Sequence, residues 1–286
     1  ALFLYNKFSG WYFKCQSDQH SLALIPAVHA AGNQVTGSVQ LITPQGAWCV
    51  SYPPSRVHGR GPGPRMALGE SLFSPRGIRL RLRDEGLEAE GELTFGPLSP
   101  IGGDIMGPFR FVPFLECRHI LSSMEHTVEG SISVNGTAYN FHQGRGYLEG
   151  DRGRSFPRHY LWTQCFFPGG ALMLCVAEIP LGSVRFTGVI GVVQIQGQQY
   201  RLGTYLGARA EEVGCGAVTV RQRELVLTAR LIQHRAVPLA APVCGAMERT
   251  VREGLSCRAA YRCTLGGRPL FDLKCDSASF EYEYPY

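Results

Sequence analysis

The sequence predicts an all-β protein made of two tandem antiparallel β-barrels, and three observations carry that prediction. Glycine (35) and proline (18) punctuate short runs rich in Val, Ile, Leu, Tyr and Phe. The interval between breaks is about ten to fifteen residues, which suits strands better than helices. Several of those runs alternate apolar and polar residues, the mark of a half-buried strand. Finally, a displacement of about 150 residues lays the opening strands on the middle of the chain, so one all-β unit is present twice.

Taken in order, Trp11–Gln16, Ser21–Ala27, Val35–Thr43 and Ala47–Tyr52 read as the first four strands. Gly77–Arg83 sets Ile78, Leu80 and Leu82 against Arg79, Arg81 and Arg83, a strand with a basic, solvated outer face. Leu87–Phe95 alternates again after a turn at Asp84-Glu85-Gly86. Residues 96–115 are rich in Gly and Pro yet carry large apolar side chains from Ile101 to Phe114. Such a loop closes one end of a barrel or folds over a ligand as a lid. Glu116–Ser122 and His126–Val134 then lead into Asn135-Gly136 and Thr137–His142, the strongest hairpin signal in the chain.

The repeat sets Trp11–Cys15 (W-Y-F-K-C) and Ser21–Ile25 (S-L-A-L-I) on Leu161–Cys165 (L-W-T-Q-C) and Ala171–Cys175 (A-L-M-L-C). Gly37-Ser38-Val39 falls on Gly188-Val189-Ile190, and Gly77–Arg83 is matched with Arg223–Arg230. Ala236–Arg252 takes the place of the long loop and is expected to hold a short helix near its end. Ser256–Leu265 and Pro269–Cys275 form a last hairpin about Gly266-Gly267, and Phe280–Tyr286 is a closing edge strand or a frayed end. Each copy has about eight strands, the number at which a closed barrel holds one small ligand. The expected boundary separates residues 1–155 from 156–286.

Bulk properties narrow the function. An apolar content of 44% in 286 residues is that of a globular chain with a real core. A formal charge of +5 helps a surface approach anionic lipid, a peripheral contact, but is too small and scattered to indicate nucleic acid. No apolar run is long enough for a membrane-spanning helix, and the opening residues lack the pattern of a secretory signal. The ten cysteines include no C-x-x-C pair and are read as reduced residues of a cytoplasmic protein. His and Cys never fall at ligand spacing, so no metal is expected. The Gly59–Pro64 run (G-R-G-P-G-P) lacks the lysine and helix of a phosphate loop, and no G-x-S-x-G elbow occurs. His58, His119 and His126 stand alone and are read as surface or strand histidines.

The chemically dense stretch runs from Gly144 to Phe167, G-R-G-Y-L-E-G-D-R-G-R-S-F-P-R-H-Y-L-W-T-Q-C-F-F. Glycines at 144, 146, 150 and 153 permit bending or close approach. Pro157 stops any helix, and a strand follows from Tyr160. Residues two apart on a strand share a face, so Glu149 and Asp151 point the same way. Alternatively, Asp151 pairs with Arg152 and Arg154 in a turn network in which Ser155 bonds locally.

G-Y-L-E-G-D-R-G-R-S-F-P followed by W-T-Q resembles the signature of the tocopherol cyclase-like family. Gly10–Lys14, Ala23–Pro26, Gly107-Pro108-Phe109 and Glu116-Cys117 resemble further blocks of it. The resemblance implies two lipocalin-like barrels with an apolar cavity near their junction, bordered by the central motif. It also implies an isomerase that needs no cofactor and closes a ring on a prenylated quinol or similar terpenoid lipid. Such a reaction needs an acid for an electron-rich alkene, a dry cavity and aromatic faces for the developing cation. A carboxylic acid in an apolar pocket keeps its proton, and two close carboxylates oppose each other's ionisation. Glu149 and Asp151 are therefore the expected acids. The ligand is expected against Trp11, Tyr12, His142, Tyr147, Arg154, Ser155 and Trp162, with His142 as a proton relay. Trp11 and Trp162 have an alternative reading as core residues. A non-catalytic carrier of an apolar ligand and a pericyclase-like enzyme that works by shape are the competing functions.

Overall fold

The computed structural model describes residues 7–59, 63–113, 115–181 and 184–285. Phe114, the centre of the Gly59–Pro64 run, the opening six residues and Tyr286 lie outside the described residues. Among the described residues the chain is all-β, with three short 3₁₀ turns and no helix long and apolar enough to cross a membrane.

The strands are β1 (Lys7–Gln16), β2 (Ser21–Ala31), β3 (Gln34–Thr43), β4 (Gly46–Tyr52), β5 (Val57–His58), β6 (Met66–Leu68), β7 (Ser71–Ser74), β8 (Gly77–Asp84), β9 (Leu87–Phe95), β10 (Cys117–Val134) and β11 (Thr137–Gly153). There follow β12 (Tyr160–Phe167), β13 (Gly170–Leu181), β14 (Val184–Ile195), β15 (Gln198–Gly203), β16 (Arg209–Gly214), β17 (Ala217–Gln222), β18 (Leu225–Gln233), β19 (Val237–Val243), β20 (Ala246–Leu265) and β21 (Arg268–Tyr282).

Two antiparallel sheets result. The first has the order β4-β3-β2-β1-β11-β10-β9-β8-β7-β6-β5, and the second β15-β14-β13-β12-β21-β20-β18-β17-β16, with β19 paired to β20. In both, the first strand of the copy lies beside its last, and the order then runs back through the chain. The repeat read from sequence is thus a repeat of topology. One match moves: β18 neighbours β20 as β9 neighbours β10, so Arg223–Arg230 corresponds to β9 rather than to the Gly77–Arg83 strand. The alternating pattern is common to both strands and could not tell them apart.

Two compact units separate by contact. The first takes residues through Ile101, His119–Ser155 and Leu239–Thr250; the second takes Gly102–Arg118, Phe156–Pro238 and the chain from Val251 onward. Each has its own apolar core. In the first, Trp11, Phe13 and Cys15 of β1 interlock with Leu22 and Leu24 of β2 and Leu148 of β11. In the second, Leu161, Cys165 and Phe167 of β12 play that part with Tyr261 and Phe280. The first sheet curls enough that a Cβ on Gly37 of β3 would lie 2.5 Å from Leu68 of β6.

Ala236–Arg252 forms no helix. It is the hairpin of β19 and the start of β20, turning at Cys244 and Gly245, both with positive φ. Ala240 exchanges two hydrogen bonds with the Gln40 carboxamide (3.0 and 2.9 Å), which holds this hairpin on the first unit. The stretch from Cys117 to Val134 is one long strand rather than two.

Candidate functional site

The side chains of Tyr147, Glu149 and Asp151 project from the same face of β11, and Lys14, Tyr12 and Gly10 of β1 stand directly opposite them. This face is the one turned away from the first unit's core, because Leu148 and the odd-numbered residues of β1 occupy the other. Yet it is not solvated: Tyr12, Lys14, Tyr147 and Glu149 are all buried. The central glycines serve close approach rather than bending. A Cβ on Gly150 would lie 2.5 Å from the Trp11 ring, and one on Gly146 would collide with the His126 imidazole.

His119 of β10 completes the group. Its Nδ1 lies 2.9 Å from Asp151 Oδ1 as a hydrogen bond. Its Nε2 lies 2.9 Å from Glu149 Oε2, an ion-pair contact. The Tyr147 hydroxyl donates to the same Oε2. Side-chain exposure is 9% for His119, 6% for Glu149 and 23% for Asp151, so one carboxylate is sealed and the other reaches toward solvent.

Burial alone would strip the proton from His119. The charges of Glu149 and Asp151, with their hydrogen bonds, together outweigh that penalty and raise its pKa well above the ordinary value. The ring is therefore an imidazolium clamped between two carboxylates. Burial, then the Glu149 charge, raises the Tyr147 pKa well above that of a free phenol, so Tyr147 stays a donor. The repulsion expected between Glu149 and Asp151 is met by a cation lying between them.

This overturns the reading of His119 as a lone histidine. It also gathers residues of metal-ligand type, since donor atoms of His119, Glu149 and Asp151 lie within 4.8 Å of one another. Spacing along the chain could not show it, because the donors come from two strands. A divalent cation there would have to displace the imidazole proton, which the same two carboxylates hold tightly.

Other expected residues lie elsewhere. His142 is 87% exposed and bonds Glu129 on the surface, away from this group, because its place in β11 turns it outward. Trp11 belongs to the core, under the Arg152 guanidinium 5.6 Å from its ring. Arg152 follows Asp151 directly, and successive strand residues face opposite ways. Ser155 bonds no local group but accepts from the Cys244 N–H (2.9 Å), and the Arg154 carbonyl accepts from the Gly245 N–H (2.8 Å), so both residues anchor the β19–β20 turn. Tyr12 is where the sequence put it, beside Glu149.

Trp162 belongs to the second unit, buried opposite Glu281 as Tyr12 stands opposite Glu149. Tyr160 donates to Glu281 Oε2, and fully buried Glu253 lies across from Glu281 on β20. The second copy thus retains a carboxylate at the Glu149 position, with glutamate rather than histidine on the neighbouring strand. The sequence reading missed His119 and the buried Lys14. For His119 a signal existed: counting back along the hairpin from Asn135-Gly136 brings it alongside Asp151 or Arg152.

No known family pattern and no curated protein matches the chain. Solved structures do. CghA with Sch210972 superposes with a TM-score of 0.62 at 11% identity, covering 97% of this chain and 88% of that one. Kievitone hydratase from Nectria haematococca gives 0.57 at 9% identity, covering 96% and 88%. A putative AttH from Nitrosomonas europaea gives 0.54 at 14% identity, covering 98% and 93%. At these identities the likeness is one of fold, the all-β architecture of two large antiparallel sheets.

Proposed function

We propose that the protein is an acid–base enzyme of the tocopherol cyclase-like family that protonates an alkene of an apolar, terpenoid-type substrate without a cofactor. The observation that carries this reading is the buried His119 ring held 2.9 Å from both Glu149 and Asp151. Glu149 delivers the proton: the His119 imidazolium releases it from Nε2 to Glu149 Oε2, and the carboxylic acid so formed protonates the alkene. Glu149 Oε2 receives the Tyr147 hydroxyl and faces His119 Nε2, so the carboxylate left after transfer keeps a fixed hydroxyl donor. Asp151, the more exposed carboxylate, accepts the Nδ1–H throughout and so keeps Nε2 turned to Glu149; the proton that the captured oxygen loses returns through Glu149 to Nε2. The imidazolium is then the proton store behind a sealed carboxyl group.

Protonation leaves a carbocation. Its capture by a phenol oxygen of the same molecule closes a chromanol-type ring, and capture by water gives a hydrated product. In either case the captured oxygen loses one proton, so the catalyst is regenerated. The Tyr12 face beside Glu149 supports the cation. Cyclisation of a prenylated quinol is the favoured outcome by the motif resemblance, while the hydratase among the structural neighbours supports hydration as its chemical sibling.

The test incubates the protein with prenylated quinols in deuterated water and follows products by mass spectrometry. Wild type is expected to give product carrying one deuterium on carbon. Glu149→Gln is expected to retain the ligand in native mass spectrometry while turnover falls at least ~100-fold. Full turnover in that variant, or retention without product in wild type, overturns the proposal; the second result is that of a carrier.

A further inference from the structure

The connection from Gly102 to Arg118 belongs to the second unit, and its packing leaves an apolar cluster facing out. Ile105 is buried and Phe109 stacks on Phe186 of β14 (6.1 Å between centroids) and edge-on to Tyr205 (6.5 Å). These contacts bring the 3₁₀ turn Gly107–Phe111 against the 3₁₀ turn Thr204–Leu206. With Phe109 used as the anchor, Phe111 of the same turn is left 74% exposed; Leu206 of the facing turn is 38% exposed, and Val184, two residues before Phe186, is 65% exposed. Lone exposed apolar residues are ordinary, but three on three adjoining segments form a patch.

The charges around the patch say what it meets. The Arg110 guanidinium lies 4.5 Å over the Phe111 ring and makes no salt bridge among the described residues. Arg185 follows Val184 with its side chain 58% exposed, touching Glu178 at 3.5 Å. Protruding apolar tips alternating with arginines match a boundary that is oily at depth and anionic at its surface. A protein partner of ordinary composition offers no such layering.

We propose that Phe111, Val184 and Leu206, flanked by Arg110 and Arg185, dock the second unit on an anionic lipid bilayer. The tips enter the acyl boundary while the guanidinium groups meet phosphate. Docking gives a protein that handles apolar molecules access to a pool that water does not carry, yet it requires no turnover and stands apart from the chemistry assigned to Glu149.

Co-sedimentation with vesicles of phosphatidylcholine, alone or mixed with phosphatidylglycerol, tests the assignment. Wild type is expected to sediment with the mixed vesicles, less so as salt rises. Phe111→Ser is expected to weaken partitioning about tenfold on both vesicle types. Arg110→Glu is expected to weaken it about fivefold or more on the anionic vesicles only. Both side chains are exposed, so the fold tolerates the changes, and circular dichroism verifies this. Absence of wild-type binding, or Phe111→Ser binding like wild type, overturns the proposal. So does a Phe111→Ser variant that converts a dimer to a monomer in light scattering without altering vesicle binding, which assigns the patch to a second copy of this chain.

Discussion

Replacing His119 by glutamine keeps approximate size and removes the cation between Glu149 and Asp151. Their facing atoms lie within 4.8 Å. At an effective dielectric constant of about 20, two unit charges at that distance repel by roughly 3.5 kcal/mol. That agrees with the ~3–5 kcal/mol seen when one partner of a buried ion pair is removed. A loss of about 3 kcal/mol corresponds to a Tm drop of roughly 6–12 °C in a chain of this size. The pH dependence separates charge from packing. The raised pKa of His119 means that the folded protein holds a proton the unfolded chain releases above about pH 6.5. That stabilisation is complete below about 6.5 and fades as pH rises toward the folded value. The variant lacks the imidazole, so its deficit persists wherever His119 is charged in wild type and shrinks as pH rises through the folded value. Differential scanning calorimetry of both proteins from neutral to alkaline pH should give a gap that narrows when His119 deprotonates in wild type. A gap of constant size refutes the ion-pair account and reduces His119 to a packing residue.

Two further outcomes follow from the first unit. Gly150→Ala would place a Cβ 2.5 Å from the Trp11 ring and 2.9 Å from the Gly10 carbonyl oxygen; overpacking of this kind should cost about 1–3 kcal/mol, read as a lower urea midpoint, and an unchanged midpoint would show that the strand yields freely. His29 and His126 are each pushed down to about 4 by burial, so they stay neutral when folded, and the unfolded chain takes up their protons first. Stability should fall by about 3 kcal/mol per histidine as pH drops from roughly 6.5 to 4, opposite in direction to the His119 effect. His126→Gln should flatten that acid limb, and an unaltered slope would remove His126 as its cause.

How much of this was legible in the sequence depends on how far apart the partners lie along the chain. Strands, the Asn135-Gly136 turn and the repeat were legible because alternation and turn chemistry act over a few residues. Glu149 and Tyr147 were legible for the same reason, since period two places them on one face of one strand. The helix expected in Ala236–Arg252 failed because composition there is ambiguous, whereas Gln40, distant in sequence, fixes its backbone in a paired strand. The arginines after Asp151 are its nearest cations in sequence, but neighbours along a strand turn to opposite faces, and its hydrogen-bonded histidine comes from 32 residues away.

The two copies sharpen the point. Tyr12 and Trp162 stand opposite Glu149 and Glu281 in equivalent pairings, so the fold alone accounts for an aromatic residue and a carboxylate in each sheet. What differs is the neighbouring strand, histidine in one copy and Glu253 opposite Glu281 in the other. A carboxylate beside an imidazolium has a stabilised conjugate base and a path for its proton, whereas one beside a second carboxylate has neither from that neighbour. The first copy therefore holds the arrangement suited to proton transfer, and the residue that makes the difference is the one the local motif left out.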